Sequence, residues 1–261
     1  MLLIFAGPVT PLNGLSHALK SLNGGLALMR KTTLVAILFL LCMVGAARAQ
    51  SAPSTGSSSM LASVDGTGDS VALTIPTPGP DLRGLQGIVD IVINSDTDCS
   101  TISAPSDWNS IISTETAGGN LCSRIYLHTF STSDGAGTSY TFSWSGDKTY
   151  IAKLLYVTSA SGVDVSSGQA AYGTSWTPPQ VATNYAGDLL LGFYMNSSNS
   201  SWQPPADMTV AQQNTTGGYP DLMTQAWQGS SGPTASFEAR SGGGGQWGIG
   251  QLLAFRPANS E

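Results

Sequence analysis

Between residues 60 and 258, short runs of β-branched and aromatic residues alternate with turn clusters, roughly one run every ten positions. The clearest runs in the first half are Val71 to Ile75, Ile88 to Ile93, Arg124 to Phe130, Tyr140 to Trp144 and Ile151 to Val157. Leu189 to Met195, Leu222 to Trp227, Ala235 to Ala239 and Ile249 to Phe255 follow in the second. Tyr140, Phe142 and Trp144 alternate with Thr141, Ser143 and Ser145, the period of a strand with one buried face. No window carries a capped 3.6-residue stripe. Many short strands between Gly-rich turns predict an all-β antiparallel sandwich.

The pattern comes round twice. Ile88 to Asn94 aligns with Leu190 to Asn196 at an offset of 102, and Ala104 to Trp108 aligns with Pro204 to Met208 at 100. Thr141-Phe142 meets Ser236-Phe237 at 95, and Ile151 to Val157 meets Ile249 to Phe255 at 98. Each copy is only about 70 to 80 residues, too short to bury a comfortable core alone. No Pro/Ser-rich linker separates them. One sandwich built from two pseudo-repeated halves over 60–258 is therefore expected.

The strand entry Ala186-Gly187-Asp188-Leu189-Leu190-Leu191, the Pro-Pro-Ala-Asp segment at 204–207, and the closing Leu252-Leu253-Ala254-Phe255-Arg256-Pro257 belong together. With the Ser161-Gly162-Val163-Asp164 turn, they resemble jelly-roll-like modules of exported bacterial proteins and of phage tail or fibre proteins. The resemblance implies a jelly-roll-like fold more than any activity. The first copy departs from it, carrying Leu85-Gln86 where Gly-Asp is expected.

The first 49 residues read as an address. Arg30 and Lys31 precede an apolar run from Leu34 to Val44, followed by Gly45-Ala46-Ala47-Arg48-Ala49. This is a basic segment, an apolar segment and a small-x-small cleavage site, so 29–49 is expected to be a signal peptide. Residues 1–28 would then be an upstream extension before a true start at Met29, and the mature chain would begin at Gln50. Residues 50–59, a Ser-rich stretch, are expected to be a flexible polar lead-in. The apolar run has 11 residues where a spanning helix needs about 20, which weighs against an uncleaved anchor. Leu41 before Cys42 weighs against a lipoprotein.

Charge narrows the partners. Only 10% of the 261 residues are charged, and cleavage would leave six basic residues against sixteen acids. Such a chain repels phosphate backbones and anionic membrane surfaces, so neither nucleic acid nor membrane is an expected partner of the mature protein. Cys99 and Cys122 would remain, an even count that predicts a disulfide in an oxidising compartment; two free buried thiols are the alternative.

Reactive constellations are scarce. His128 is alone in the mature chain and reads as a strand histidine packed beside Tyr126 and Phe130. A zinc site of His and Cys is excluded by count unless both cysteines are free. No nucleophile elbow is present. Asp90 interrupts an apolar strand and reads as a residue on a solvent face, the alternative being a carboxylate of raised pKa in a cleft. The loop Asn94-Ser95-Asp96-Thr97-Asp98 could hold calcium through Asp96 and Asp98, although the Gly and distant Glu of an EF-hand loop are missing. No other cofactor is expected.

The aromatics point to a function class. Trp144 and Trp227 lie within strand patterns and are expected in the core. Trp176, Trp202, Tyr219 and Trp247 lie among Pro, Ser and Gly and are expected on exposed loops, where rings could stack on sugars. The expectation is an exported, non-catalytic recognition or surface-attachment domain whose partner is a carbohydrate or surface polymer. A structural, self-associating subunit of a fibre or cell-surface assembly is second. A glycoside hydrolase with paired carboxylates is third.

Overall fold

All eight residues of Gln86–Ile93 are buried, as are all nine of Asp188–Asn196, so both runs are strands covered on two faces. That single fact dictates the architecture, because each sheet needs an apolar layer on either side. The computed structural model describes residues 56–94, 99–117, 121–197, 201–214 and 221–258. Among them the regular structure is strand, with a 3-10 turn at Cys99–Thr101 and no α-helix. The residues of the predicted signal peptide and upstream extension lie outside the described residues.

The first half contributes β1 (Ser57–Thr74), β2 (Gln86–Ile93), β3 (Asn109–Glu115), β4 (Cys122–Thr129) and β5 (Ser139–Thr158). The second begins with β6 (Ala160–Gly173), β7 (Ser175–Trp176), β8 (Ala182–Thr183), β9 (Asp188–Asn196) and β10 (Trp202–Gln203). It continues with β11 (Thr209–Asn214), β12 (Asp221–Gln228), β13 (Gly232–Pro233), β14 (Ala239–Ser241) and β15 (Gln246–Pro257). Two five-stranded sheets result, in the orders β1-β5-β2-β4-β3 and β6-β15-β9-β12-β11, antiparallel throughout. The orders are equivalent, strand for strand.

The repeat extends to irregularities. A β-bulge interrupts the β3–β4 ladder between Ser110 and Ile112, and another interrupts β11–β12 between Val210 and Gln212, 100 positions on. Trp108 N–H donates to Pro105 O at 3.0 Å, and Met208 N–H repeats the turn on Pro205 O at 3.2 Å. Each sheet is drawn from one continuous half, and the chain crosses between the five-stranded sheets at Ser159, a residue in the left-handed region with φ 54°. A jelly roll exchanges strands between its sheets repeatedly; the connectivity here is that of two like sheets laid face to face.

Ladder register also corrects the offset of the central strands. Lys153 faces Asp90 across β5–β2, and Gln251 faces Phe193 across β15–β9. With Lys153 and Gln251 equivalent at an offset of 98, Asp90 corresponds to Phe193, not to Gly192. The offset of 102 is therefore one residue short, a slip that exchanges the two faces of a strand.

The shared interior lies between the sheets. Ile88, Val92, Ile125, Ile151 and Leu155 of one meet Leu191, Phe193, Met223, Leu253 and Phe255 of the other. The outer faces have their own covers. On the first sheet, the far ends of β1 and β5 turn back, bringing Val71, Leu73, Tyr140, Phe142 and Trp144 over Val89, Ile91 and Tyr126. On the second sheet, a small sheet of β10, β14 and β7 lays Trp176, Trp202 and Ala239 over Tyr194 and Leu222. Cys99 and Cys122 form a disulfide, with Cα atoms 5.6 Å apart, fastening the 3-10 turn to β4.

Of the expected lead-in at 50–59, residues 50–55 lie outside the described residues, and the end of it is already strand. Ser57 to Ser59 already pair with β5, and Ser58 Oγ donates to Gln225 Oε1 of the facing sheet at 2.9 Å. Edge-strand pairing supplies the backbone partners that a flexible lead-in would find in water.

Gly248 sits directly beneath Trp176, and a methyl group there would fall inside contact distance of the indole ring. Gly248→Ala should therefore lower stability by about 1–3 kcal/mol through overpacking. Gly244, with nothing near its Cβ position, should tolerate Ala within about 0.5 kcal/mol. Thermal or denaturant unfolding of the two variants checks the contrast.

Candidate functional site

The predicted aromatic surface is mostly not at the surface. Trp176 and Trp202 are buried, with ring centroids 5.4 Å apart, in the cover layer of the second sheet. Two-residue strands hold them there, and Trp176 Nε1 donates to Ala171 O at 3.0 Å. Tyr219, Asp96 and Asp98 lie outside the described residues. Trp247 is half-buried and meets Tyr172 edge to face, centroids 5.7 Å apart at 74°. Tyr172, directly opposite Trp247 in the β6–β15 ladder, is 65% exposed. Trp144 is buried as expected, whereas Trp227 is 43% exposed, its Nε1 donating to Gly56 O at 2.9 Å.

A depression of about 400 Å³ lies over the second sheet, lined by Gln203, Pro204, Pro205, Asp207, Glu238 and Arg240. It contains two carboxylates, but Arg240 Nε donates to Glu238 Oε1 at 2.5 Å.

Around His128, the first outer cover carries a polar knot. His128 Nε2 meets Asp134 Oδ2 at 3.2 Å, and Nδ1 meets Asp107 O at 3.2 Å and Asp107 Oδ2 at 3.4 Å. Trp108 stacks on the imidazole at 5.0 Å, and Phe130 meets its edge at 5.4 Å. Burial opposes ionisation of Asp134. Donors from Tyr140 (2.6 Å), Ser131 N and Oγ (2.6 and 2.7 Å) and His128 outweigh it and hold the carboxyl at about 2. Ligand atoms of Asp107, His128 and Asp134 lie within 4.8 Å of one another, so a His/Asp set could in principle hold a cation. Both imidazole nitrogens already have oxygen partners, which makes the knot a clamp between two turns and β4.

A second carboxyl pair is wholly different. Asp188, the first residue of β9, is fully buried beside Asp164 of β6. Asp164 accepts from Asn184 N at 2.7 Å and from Asn184 Nδ2 at 2.8 Å. Burial, then the hydrogen bond and charge of Asp164, push Asp188 up to about 7.

The third cluster occupies the middle of the interior. Asp90 (β2), Ser123 (β4) and Lys153 (β5) project from one sheet; Asp221 (β12) and Gln251 (β15) come from the other. Asp90 and Asp221 are 2% exposed and Lys153 is 1% exposed. Lys153 Nζ contacts Asp221 Oδ2 directly. Ser123 Oγ lies 3.1 Å from Asp90 Oδ1 and 2.9 Å from Gln251 Oε1, while Gln251 Nε2 donates to Thr114 Oγ1 at 3.0 Å. Burial raises Asp90 to about 6 against the opposing effects of Lys153 and Ser123, and burial lowers Lys153 to about 8 against Asp90. The reading of Asp90 as a solvent-facing residue is thus corrected: its strand has no solvent face, because the second sheet covers it.

No family model, curated protein or solved structure matches the chain.

Asp188 generates a pH dependence of definite sign. An unfolded Asp titrates at about 3.9, so between about 4 and about 7 the folded chain holds a proton that the unfolded chain has lost. Its contribution to stability is complete below that window and is lost as pH rises through it. Asp188→Asn retains a donor for Asp164 without the titration. The stability of the variant relative to the native chain should therefore rise from pH 4 to pH 8, as read from unfolding midpoints; parallel curves would contradict the assignment.

Proposed function

We propose that the chain is an exported recognition or surface-attachment domain that holds a glycan against the Tyr172–Trp247 ring pair. Export rests on the segment at 29–49 together with the Cys99–Cys122 disulfide, which persists in an oxidising compartment. Among the described residues, no helix is long and apolar enough to cross a membrane. The observation that carries the binding reading is the exposure of Tyr172 on a paired strand, backed by Trp247. Perpendicular rings offer a flat apolar face beside a polar edge, the shape that suits a sugar's C–H face and hydroxyl rim. Two ladder-paired strands fix both rings before a ligand arrives, so little side-chain entropy is lost on binding.

A structural subunit of a surface assembly is the second reading, favoured by Trp227 and Val210, which are exposed on the adjacent strands β12 and β11. It requires the purified chain to sediment as an oligomer that Trp227→Ala dissociates. Hydrolysis of a glycan, abolished by Glu238→Gln, would instead favour catalysis in the depression.

On a glycan array and in affinity electrophoresis, Tyr172→Ala and Trp247→Ala should each weaken retention about tenfold or more, roughly 1.4 kcal/mol. Trp227→Ala should leave retention unchanged. A native chain retained by no glycan would remove the reading.

A further inference from the structure

We propose that Lys153 and Asp221 become joined by an intramolecular amide bond between the two sheets, with Asp90 as the acid that carries the protons. The inference is independent of glycan binding. It rests on three buried groups brought together between the sheets: an amine and a carboxyl in direct contact, and a second carboxyl opposite the amine in the ladder.

As an ion pair the arrangement is poor. Two charges are removed from water, and apart from Lys153 no group among the described residues hydrogen-bonds to either Asp221 oxygen. Attraction offsets desolvation only when the remaining lone pairs are satisfied. Condensation removes both charges and leaves a neutral amide. Ordinarily an amine and a carboxylate in water do not condense, because both are ionised and solvent is in excess. Here burial biases Asp90 and Lys153 toward their neutral forms. Fixed juxtaposition also replaces a collision between separate molecules.

The balance is simple. Asp90, as the neutral acid, gives its proton to the Asp221 carboxylate and takes one back from the Lys153 ammonium, leaving amine and both acids neutral. The Nζ lone pair attacks Cγ of Asp221, the Nζ–Cγ bond forms, and the carbonyl electron pair moves onto oxygen. Asp90 then gives its proton to the hydroxyl and takes one from Nζ. The Cγ–O bond breaks, the carbonyl re-forms, and one water leaves. Ammonium plus carboxylate become amide plus water, with Asp90 restored and no oxidant or reductant involved.

The repeat supplies an internal contrast. Under the register equivalence, Lys153 corresponds to Gln251, Asp221 to Ser123 and Asp90 to Phe193. Ser123 and Gln251 make the matching contact across the interface as a 2.9 Å hydrogen bond. That pair has neither an amine nucleophile nor a carboxyl to attack, and its third member is a phenyl ring. The bond can form once.

The test is the intact mass of the reduced full chain, purified from the exporting host and referred to its sequenced N-terminus. It should fall short of the sequence mass by one water. A protease digest of the unfolded chain should give a branched peptide joining Lys153 to Asp221, with no cleavage after Lys153. Lys153→Arg and Asp221→Ala should have full mass, and Asp90→Asn, folded by circular dichroism, should remain uncrosslinked. A native chain of full mass cleaved after Lys153, or a missing water without the branched peptide, overturns the proposal even if every variant fails to fold. Complete crosslinking in Asp90→Asn overturns the role given to that acid.

Discussion

A sheet whose strands are apolar on both faces cannot be satisfied by one partner. β2 and β9 are such strands, and the remaining structure follows from covering them. The two sheets cover each other's inner faces, and each outer face takes a layer made from its own half. The first half uses the long β1–β5 ladder, bent back at its far end. The second reaches the same result with β7, β10 and β14. Either cover consumes aromatic residues: Trp108, Tyr140, Phe142 and Trp144 on one side, Trp176, Trp202 and Phe237 on the other. Among the described residues the surface is left with few large rings, which is why the exposed Tyr172 is informative.

The same two-sided burial explains what the sequence could and could not tell. The central strands and the repeat were legible, since β-branched runs and turn clusters are local signals; the polar edge strands β3, β6 and β11 were not among the runs, and the run expected at Ala235 to Ala239 is strand only from Ala239. Register was not legible. Alternation fixes a frame only when one face meets water, as in Tyr140 to Trp144; β2 and β9 have no such face, so an alignment one residue off looked as good as the right one. That slip placed Gly192 opposite Asp90 and made a buried acid look tolerable in solvent. Trp176 and Trp202 were misplaced for a different reason. Their Pro- and Ser-rich surroundings are loop-like, and the two-residue strands that bury them carry no periodic pattern. Trp227 erred in the other direction, its strand pattern hiding its place near the sheet margin.

One signal for the interior cluster was available. Asp90 and Lys153 are opposite charges, each within an otherwise apolar run, Ile88 to Ile93 and Ile151 to Val157. A single charge in such a run suggests a solvent face. Two of opposite sign suggest a meeting between strands, which the β2–β5 ladder provides. Asp221 gave no comparable sign, because an acid at the start of a strand is ordinarily a turn residue.

The interior cluster also shows how two like sheets come to hold unlike chemistry. Facing sheets of the same order present each inner position twice, once from either half, so a pair that crosses the interface has a counterpart crossing the other way. Lys153–Asp221 and Gln251–Ser123 are such counterparts. The neutral pair needs only a hydrogen bond and leaves room for Phe193 beside it. The charged pair needs more: its amine and carboxyl must remain ionised at a desolvation cost or lose their charges together. Asp90, opposite Lys153 and hydrogen-bonded to Ser123, links the two pairs into one network. A second carboxyl adds a buried charge if the pair merely attracts, and has a use if a proton has to move. The position of Asp90 therefore argues for chemistry at the interface over simple pairing.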